Sequence, residues 1–222
     1  SAIASWHARC IAGTLPAGGA LDRSMAQPGA PAGSTAAALN DALLDAVDDG
    51  DEGGVEQALR DGASPDASYG RGWSAVNIAA YKGYTEVVRL LAEHRANVKT
   101  PMNDGTTPAF IAAQEGHVEV LRLLAELGAD VKTPNNNGAT PAYIAAQNGH
   151  MEVVRLLAEL GADVKTTDHD GCTTMYVAAQ NGHAKVVRLL ASLKPALVTK
   201  ATNSGWTPLT FSVRKSHLEA TK

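Results

Sequence analysis

Gly83, Gly116, Gly149 and Gly182 stand 33 residues apart in the chain. His117, His150 and His183 keep the same interval, and so do Arg89, Arg122, Arg155 and Arg188. So regular a period marks an array of stacked units, each burying its apolar face against the next. Residues 104–136 read DGTTPAFIAAQEGHVEVLRLLAELGADVKTPNN, and residues 137–169 read NGATPAYIAAQNGHMEVVRLLAELGADVKTTDH. These are two copies of one unit.

The unit resolves into two short helices. In TPAYIAAQ, Thr140 is placed as an N-cap and Pro141 at the first helical position, where its missing N–H does no harm. Gly149 ends that helix. MEVVRLLAEL follows, with Val153, Leu156, Leu157 and Leu160 at helical spacing on one face. Gly161 ends this second helix, as suits a left-handed residue. ADVKTTDHDG then supplies an extended stretch and a glycine-containing turn. Apolar residues make up 45% of the chain and aromatics only 5%, so the expected core is built mostly from Ala, Leu and Val.

The period, the pattern DGxTPxxxAAxxGHxEVVRLLxxxGADV and the helix–turn–helix plus hairpin unit are similar to the ankyrin repeat. The resemblance implies an all-α solenoid with β-hairpin loops and about five and a half repeats. The repeats fall at about 38–70, 71–103, 104–136, 137–169 and 170–202, with a partial one at 203–222. The match is strong over 71–202 and weak over 38–70, where Gly50 and Gly62 stand in register, each 66 residues before Gly116 and Gly128. One inserted residue around LKPALV shifts the last unit, which holds a first helix and half of a second. Residues 1–37 form an irregular Ala/Gly/Pro-rich arm, expected to be a disordered linker over 12–38.

The sequence departs from the family pattern TPLH. Phe110, Tyr143 and Tyr176 replace its His, and Ala109, Ala142 and Met175 replace its Leu. In the family that His ties neighbouring turns together. A tyrosine hydroxyl can replace the bond and Phe110 cannot, so the three rings are expected to stack along the array as packing. The glycine after the second helix is replaced by Arg95 and Lys194. A left-handed non-glycine residue costs roughly 1 kcal/mol, so the flanking units are expected to end differently from the central ones.

Several chemistries find no support. A net charge of −4 offers no concentrated basic surface, so nucleic acid is not expected as a partner. The chain has no Walker A loop, dinucleotide-type GxGxxG, HExxH, GxSxG or EF-hand loop. No catalysis, cofactor or metal is expected. Equivalent histidines of successive units are set apart by helix layers about 8–10 Å wide, too far for one zinc ion with ligands at about 2 Å. A local backbone bond at the interhelix turn is the expected role of His117, His150 and His183. In WHARC, His7 and Cys10 share a helical face but have no supporting pocket for a thiolate nucleophile. The arginines are balanced on their own helices: Glu119 and Glu126 flank Arg122, and Glu152 and Glu159 flank Arg155.

Cys10 and Cys172 form no CxxC pair, so an intracellular, cytoplasmic compartment is the default expectation, with a plastid the alternative. No apolar run is long enough for a transmembrane helix. The chain starts at Ser1, which reads as a fragment or a processed product.

With framework positions fixed, recognition is expected where the units differ. The resemblance implies contacts at the hairpin tips and the exposed side of the first helices. The tip residues are Met102, Asn103, Asn135, Asn136, Asp168 and His169. The pairs after the double alanine are Tyr81 with Lys82, Gln114 with Glu115, Gln147 with Asn148, and Gln180 with Asn181. After the turn glycine stand Trp73 and Trp206, either interface anchors or covers over an end-unit core. Trp6, with Ile3 and Cys10, lines one face of a short helix in the arm.

Charge is uneven along the array. Residues 38–70 carry nine acids against Arg60, whereas 183–222 carry Lys185, Arg188, Lys194, Lys200, Arg214, Lys215 and Lys222 against Glu219. The poles read as two solvated ends or as devices that orient a partner.

The expected function is a non-catalytic protein–protein interaction scaffold or adaptor. The alternative is a stoichiometric structural subunit of a larger complex, tethered through its arm. The uniform repeats resemble ankyrin proteins expanded in single-celled algae, which implies an organellar or photosynthetic membrane complex for that alternative, with peripheral association.

Overall fold

The structure is a computed structural model that describes residues 35–208 together with Thr210. Its regular elements follow from short-range chemistry. Ser74, Thr107, Thr140 and Thr173 each accept a hydrogen bond from the backbone N–H three residues on, at 3.1–3.3 Å. Each such cap is worth about 1 kcal/mol. Behind them run α3 (Ala75–Lys82), α5 (Pro108–Glu115), α7 (Pro141–Asn148) and α9 (Thr174–Gln180). Each is followed by a second helix: α4 (Thr85–Glu93), α6 (Val118–Glu126), α8 (Met151–Glu159) and α10 (Ala184–Leu193). The weakly matching first unit forms the same pair, α1 (Thr35–Asp49) and α2 (Glu52–Arg60). In it Gly50 and Gly62 take left-handed φ values of 72° and 101°, as their register predicts.

The helices stack in two layers. The first helices α1, α3, α5, α7 and α9 pack in chain order, and the second helices α2, α4, α6, α8 and α10 do the same behind them. The inner first-layer helices are enclosed by neighbours on both sides and by the second layer behind. Every residue of α5 from Pro108 to Gln114 is therefore buried. The alanine pairs 79–80, 112–113, 145–146 and 178–179 are at most 1% exposed, which lets adjacent helices approach closely. Second-layer helices bury one stripe only, such as Val153, Val154, Leu156 and Leu157 of α8, and expose the other.

The rings at the family's His position behave as packing. Phe110, Tyr143 and Tyr176 are all buried. The Tyr143 hydroxyl also donates to Asp168 Oδ2 of the next hairpin at 2.8 Å, so it supplies the tie between turns as well. The hairpins are short. β1 (Ser68–Tyr69) pairs antiparallel with β2 (Trp73–Ser74), Ser68 opposite Ser74 and Tyr69 opposite Trp73. Thr167 and Thr173 form an isolated bridge.

The structure amends several expectations. Leu160 is not on the buried stripe: α8 ends at Glu159, and Leu160 is its C-cap, 37% exposed. Arg95 keeps the left-handed turn at φ 69° despite its side chain. Lys194 does not: its φ is −144°, because the following Pro195 drives the preceding residue to extended backbone. A 3₁₀ helix, Pro195–Val198, then takes up the inserted residue. Helix α1 starts at Thr35, inside the stretch assigned to the arm and its linker. The rest of the arm, with His7 and Cys10, and the second helix expected in the last unit lie outside the described residues. Among the described residues, no helix is long and apolar enough to cross a membrane.

Candidate functional site

The four later hairpins each carry a backbone bond across their ends: Met102 N–H to the Thr106 carbonyl, Asn135 to Ala139, Asp168 to Cys172, and Thr202 to Trp206, at 2.8–3.2 Å. In extended backbone successive side chains point to opposite sides. Of each expected tip pair, one residue thus faces inward. Met102 and Asn135 are buried at 6% and 7% exposure, so a partner does not reach them in this conformation. Asn135 Oδ1 instead accepts the amides of Asn137 and Ala139 at 3.0 and 3.1 Å. Asp168 Oδ1 does the same for Asp170 and Cys172 at 3.0 and 2.9 Å.

The second member of each pair faces solvent. Asn103, Asn136 and His169 are exposed. Their backbone N–H groups donate to the Arg71, Asp104 and Asn137 carbonyls of the preceding tip at 3.2, 2.9 and 3.3 Å. The tips therefore form one hydrogen-bonded row. Asn203 takes the equivalent place at the last tip, exposed, and is missing from the expected set because the inserted residue breaks the period. Its signal was the repeated placement two residues before a turn glycine, as in NDG, NNG, HDG and NSG.

A second row lies at the ends of the first-layer helices. His117 Nε2 donates to the Tyr81 carbonyl, His150 to Gln114 and His183 to Gln147, at 2.8–3.0 Å. These bonds are not local to one turn; each reaches 36 residues back into the preceding unit. The rings lie flat over Gly83, Gly116 and Gly149, where an added Cβ would meet them at 2.6 Å. Asn148 Nδ2 adds a second donor to the Gln114 carbonyl at 2.9 Å.

Covered in this way, Gln114 is 3% exposed, and its role as a contact is corrected to packing. Its neighbour Glu115 is half-buried and accepts from the Gln114 amide at 2.8 Å. Tyr81, Lys82, Gln147, Asn148 and Gln180 are half-buried, and Asn181 is exposed. Lys82 pairs with Asp48 of the first unit at 3.0 Å.

Trp73 and Trp206 are half-buried against the core. The Trp73 ring meets Tyr81 edge-on, centroids 5.8 Å apart. Trp6 lies outside the described residues. At the acidic end, Asp48 and Asp66 serve the framework: Asp66 Oδ1 accepts the Asn97 amide at 2.7 Å. Lys185, Arg188, Lys194 and Lys200 are exposed at the other end, and Arg214, Lys215, Glu219 and Lys222 lie outside the described residues. Arg89, Arg122 and Arg155 pair with the glutamate three residues earlier at 3.2, 3.9 and 3.3 Å, rather than with the one four residues later. Among the described residues, no group of three or more His, Cys, Asp or Glu side chains is placed to hold a metal ion.

No curated protein matches the chain. A family model, ankyrin repeats (3 copies), matches residues 43–135, 96–168, 128–201 and 160–222. Those overlapping matches run across the helix pairs, the histidine ties and the hairpin row alike, and by them the chain belongs to the ankyrin repeat family.

Proposed function

We propose that the chain is a non-catalytic scaffold or adaptor that holds a protein partner along its two exposed rows. Ankyrin repeats are generally protein–protein interaction modules, and the family is typically non-catalytic. The contact set is Asn103, Asn136, His169 and Asn203 at the tips, with Lys82, Glu115, Asn148 and Asn181 at the helix ends.

One observation carries this reading. Along the first-layer helices the repeated alanines are buried and the repeated histidines are tied to the neighbouring unit, whereas the tip residues Asn103, Asn136, His169 and Asn203 reach solvent. A partner lying along the array meets a set of side chains that varies along it, on a framework that recurs from unit to unit. Specificity then comes from the order of Asn, Asn, His and Asn along the tips, and of Lys, Glu, Asn and Asn along the helix ends.

The test combines Asn103→Ala, Asn136→Ala and His169→Ala. Native mass spectrometry of the chain with its co-purifying proteins should show the complex lost, while thermal unfolding stays near that of the parent. A complex kept at unchanged stoichiometry by the folded triple variant would sink the reading.

A further inference from the structure

A cavity of about 460 Å³ lies between the loop after α4 and the loop after α6, beside the first turn of α5. Val98, Pro101, Ala109, Ala129 and Pro134 give it an apolar lining. Position 109 is alanine, where the equivalent position two units on holds Met175, itself buried. The volume falls in the range of about 300–1,000 Å³ typical of binding pockets.

One cation stands at this cavity. Lys99 lines it, is exposed, and forms no ion pair among the described residues. Its ammonium reaches the C-terminal end of α6, 3.8 Å from where a Cβ on Gly128 would stand. The partial negative charge of that helix end holds it there. The lysine's own loop has Asn97 where the later loops have Asp130 and Asp163, so it lacks the acid that those loops place two residues before their lysine. Asp130 also lines the cavity, but its oxygens are turned to its own loop. Oδ1 accepts the Lys132 amide at 2.8 Å and Oδ2 the Thr133 hydroxyl at 3.0 Å.

We infer that this cavity receives one aromatic or long aliphatic side chain of a partner polypeptide, with an adjacent carboxylate of that partner pairing with Lys99. The inference rests on the protein-binding reading above and adds a specificity pocket to it. Asn136 belongs to both, lining the cavity and standing in the tip row, so one partner segment engages the two together.

A displayed library of random dodecapeptides, panned on the whole chain, is the probe. Enriched peptides should place an acidic residue beside a large apolar one. They should bind about tenfold more weakly to Ala109→Met, which fills the cavity from its floor, and several-fold more weakly to Lys99→Gln. An unfolding temperature at or above the parent's shows Ala109→Met folded; if it is not, the surface variant Lys99→Gln decides. Peptides without a carboxylate overturn the pairing with Lys99. Peptides indifferent to both variants but sensitive to Asn103→Ala or His169→Ala overturn the cavity and leave the proposed function standing. A library that yields no binder overturns both.

Discussion

The central units and the flanking ones build the same joints from different residues. At the central seams a histidine lies over the preceding unit's left-handed glycine and donates to its carbonyl. At the first seam Tyr84 takes that place, its ring 2.8 Å from where a Cβ on Gly50 would stand, without such a bond among the described residues. The central second helices end on Gly128 and Gly161, α4 and α10 on Arg95 and Lys194, and the outermost, α2, on a glycine again, Gly62. The central hairpins are braced by Asn135 and Asp168. Their flanking counterparts are Met102, which leaves Asp104 to accept the Thr106 amide at 2.9 Å, and Thr202, whose hydroxyl accepts the Trp206 amide at 3.2 Å. What stays constant, apart from the turn at Lys194, is backbone geometry and the space over the glycine. The side chain that exploits it is exchangeable.

That comparison can be broken at its strongest point. Gly149→Ala puts a Cβ against the His183 ring as well as into left-handed backbone, and should cost about 3 kcal/mol in equilibrium urea unfolding. Gly161→Ala, at φ 76° with only the Lys132 ammonium 3.8 Å away, should cost about 1 kcal/mol. Equal costs would mean that the ring contact adds nothing.

His150→Ala removes the donor to Gln114 and the ring over Gly116, and should lose about 1.5 kcal/mol by the same measurement. Histidine-to-tyrosine exchange at 150 should recover part of that loss, because Tyr84 already fills the space. Tyr143→Phe, which makes this unit like its neighbour with Phe110, should lose about 1 kcal/mol as Asp168 Oδ2 forfeits its donor.

The smallest effects separate the two flanks. Arg95→Gly should gain just under about 1 kcal/mol, because the backbone there is left-handed, and Lys194→Gly should gain nothing, because the backbone there is extended. A gain at Lys194 would contradict the extended turn before Pro195.

The fold was legible because its punctuation is chemical. Thr-Pro starts, left-handed glycines and the amphipathic second helix each announce a boundary, and the structure places them at those boundaries. The first unit lacks Thr-Pro, so nothing marked the start of α1 at Thr35. At the candidate site, spacing located each tip but not which of two adjacent residues faces solvent. Met102 and Asn135 became visible as buried only once the hairpin closed around them. Gln114 was hidden for a different reason: what covers it comes from the next unit. The histidines were read as ties, and their spacing could not tell a bond within the turn from one that crosses to the previous unit.

Those crossing ties give the array a direction. The histidine bonds run from a later unit to an earlier one, and in the tip row the donor stands in the later hairpin and the acceptor in the earlier; the Tyr143 hydroxyl runs the other way. Cutting at a seam therefore leaves unlike faces. The half before the cut presents mainly bare carbonyls, whose two lone pairs tolerate partial service by water, and the half after it presents N–H groups that tolerate it less. Shortening from the C-terminal side is the milder injury, and a chain emerging N-terminus first always offers its next unit a face already furnished with acceptors.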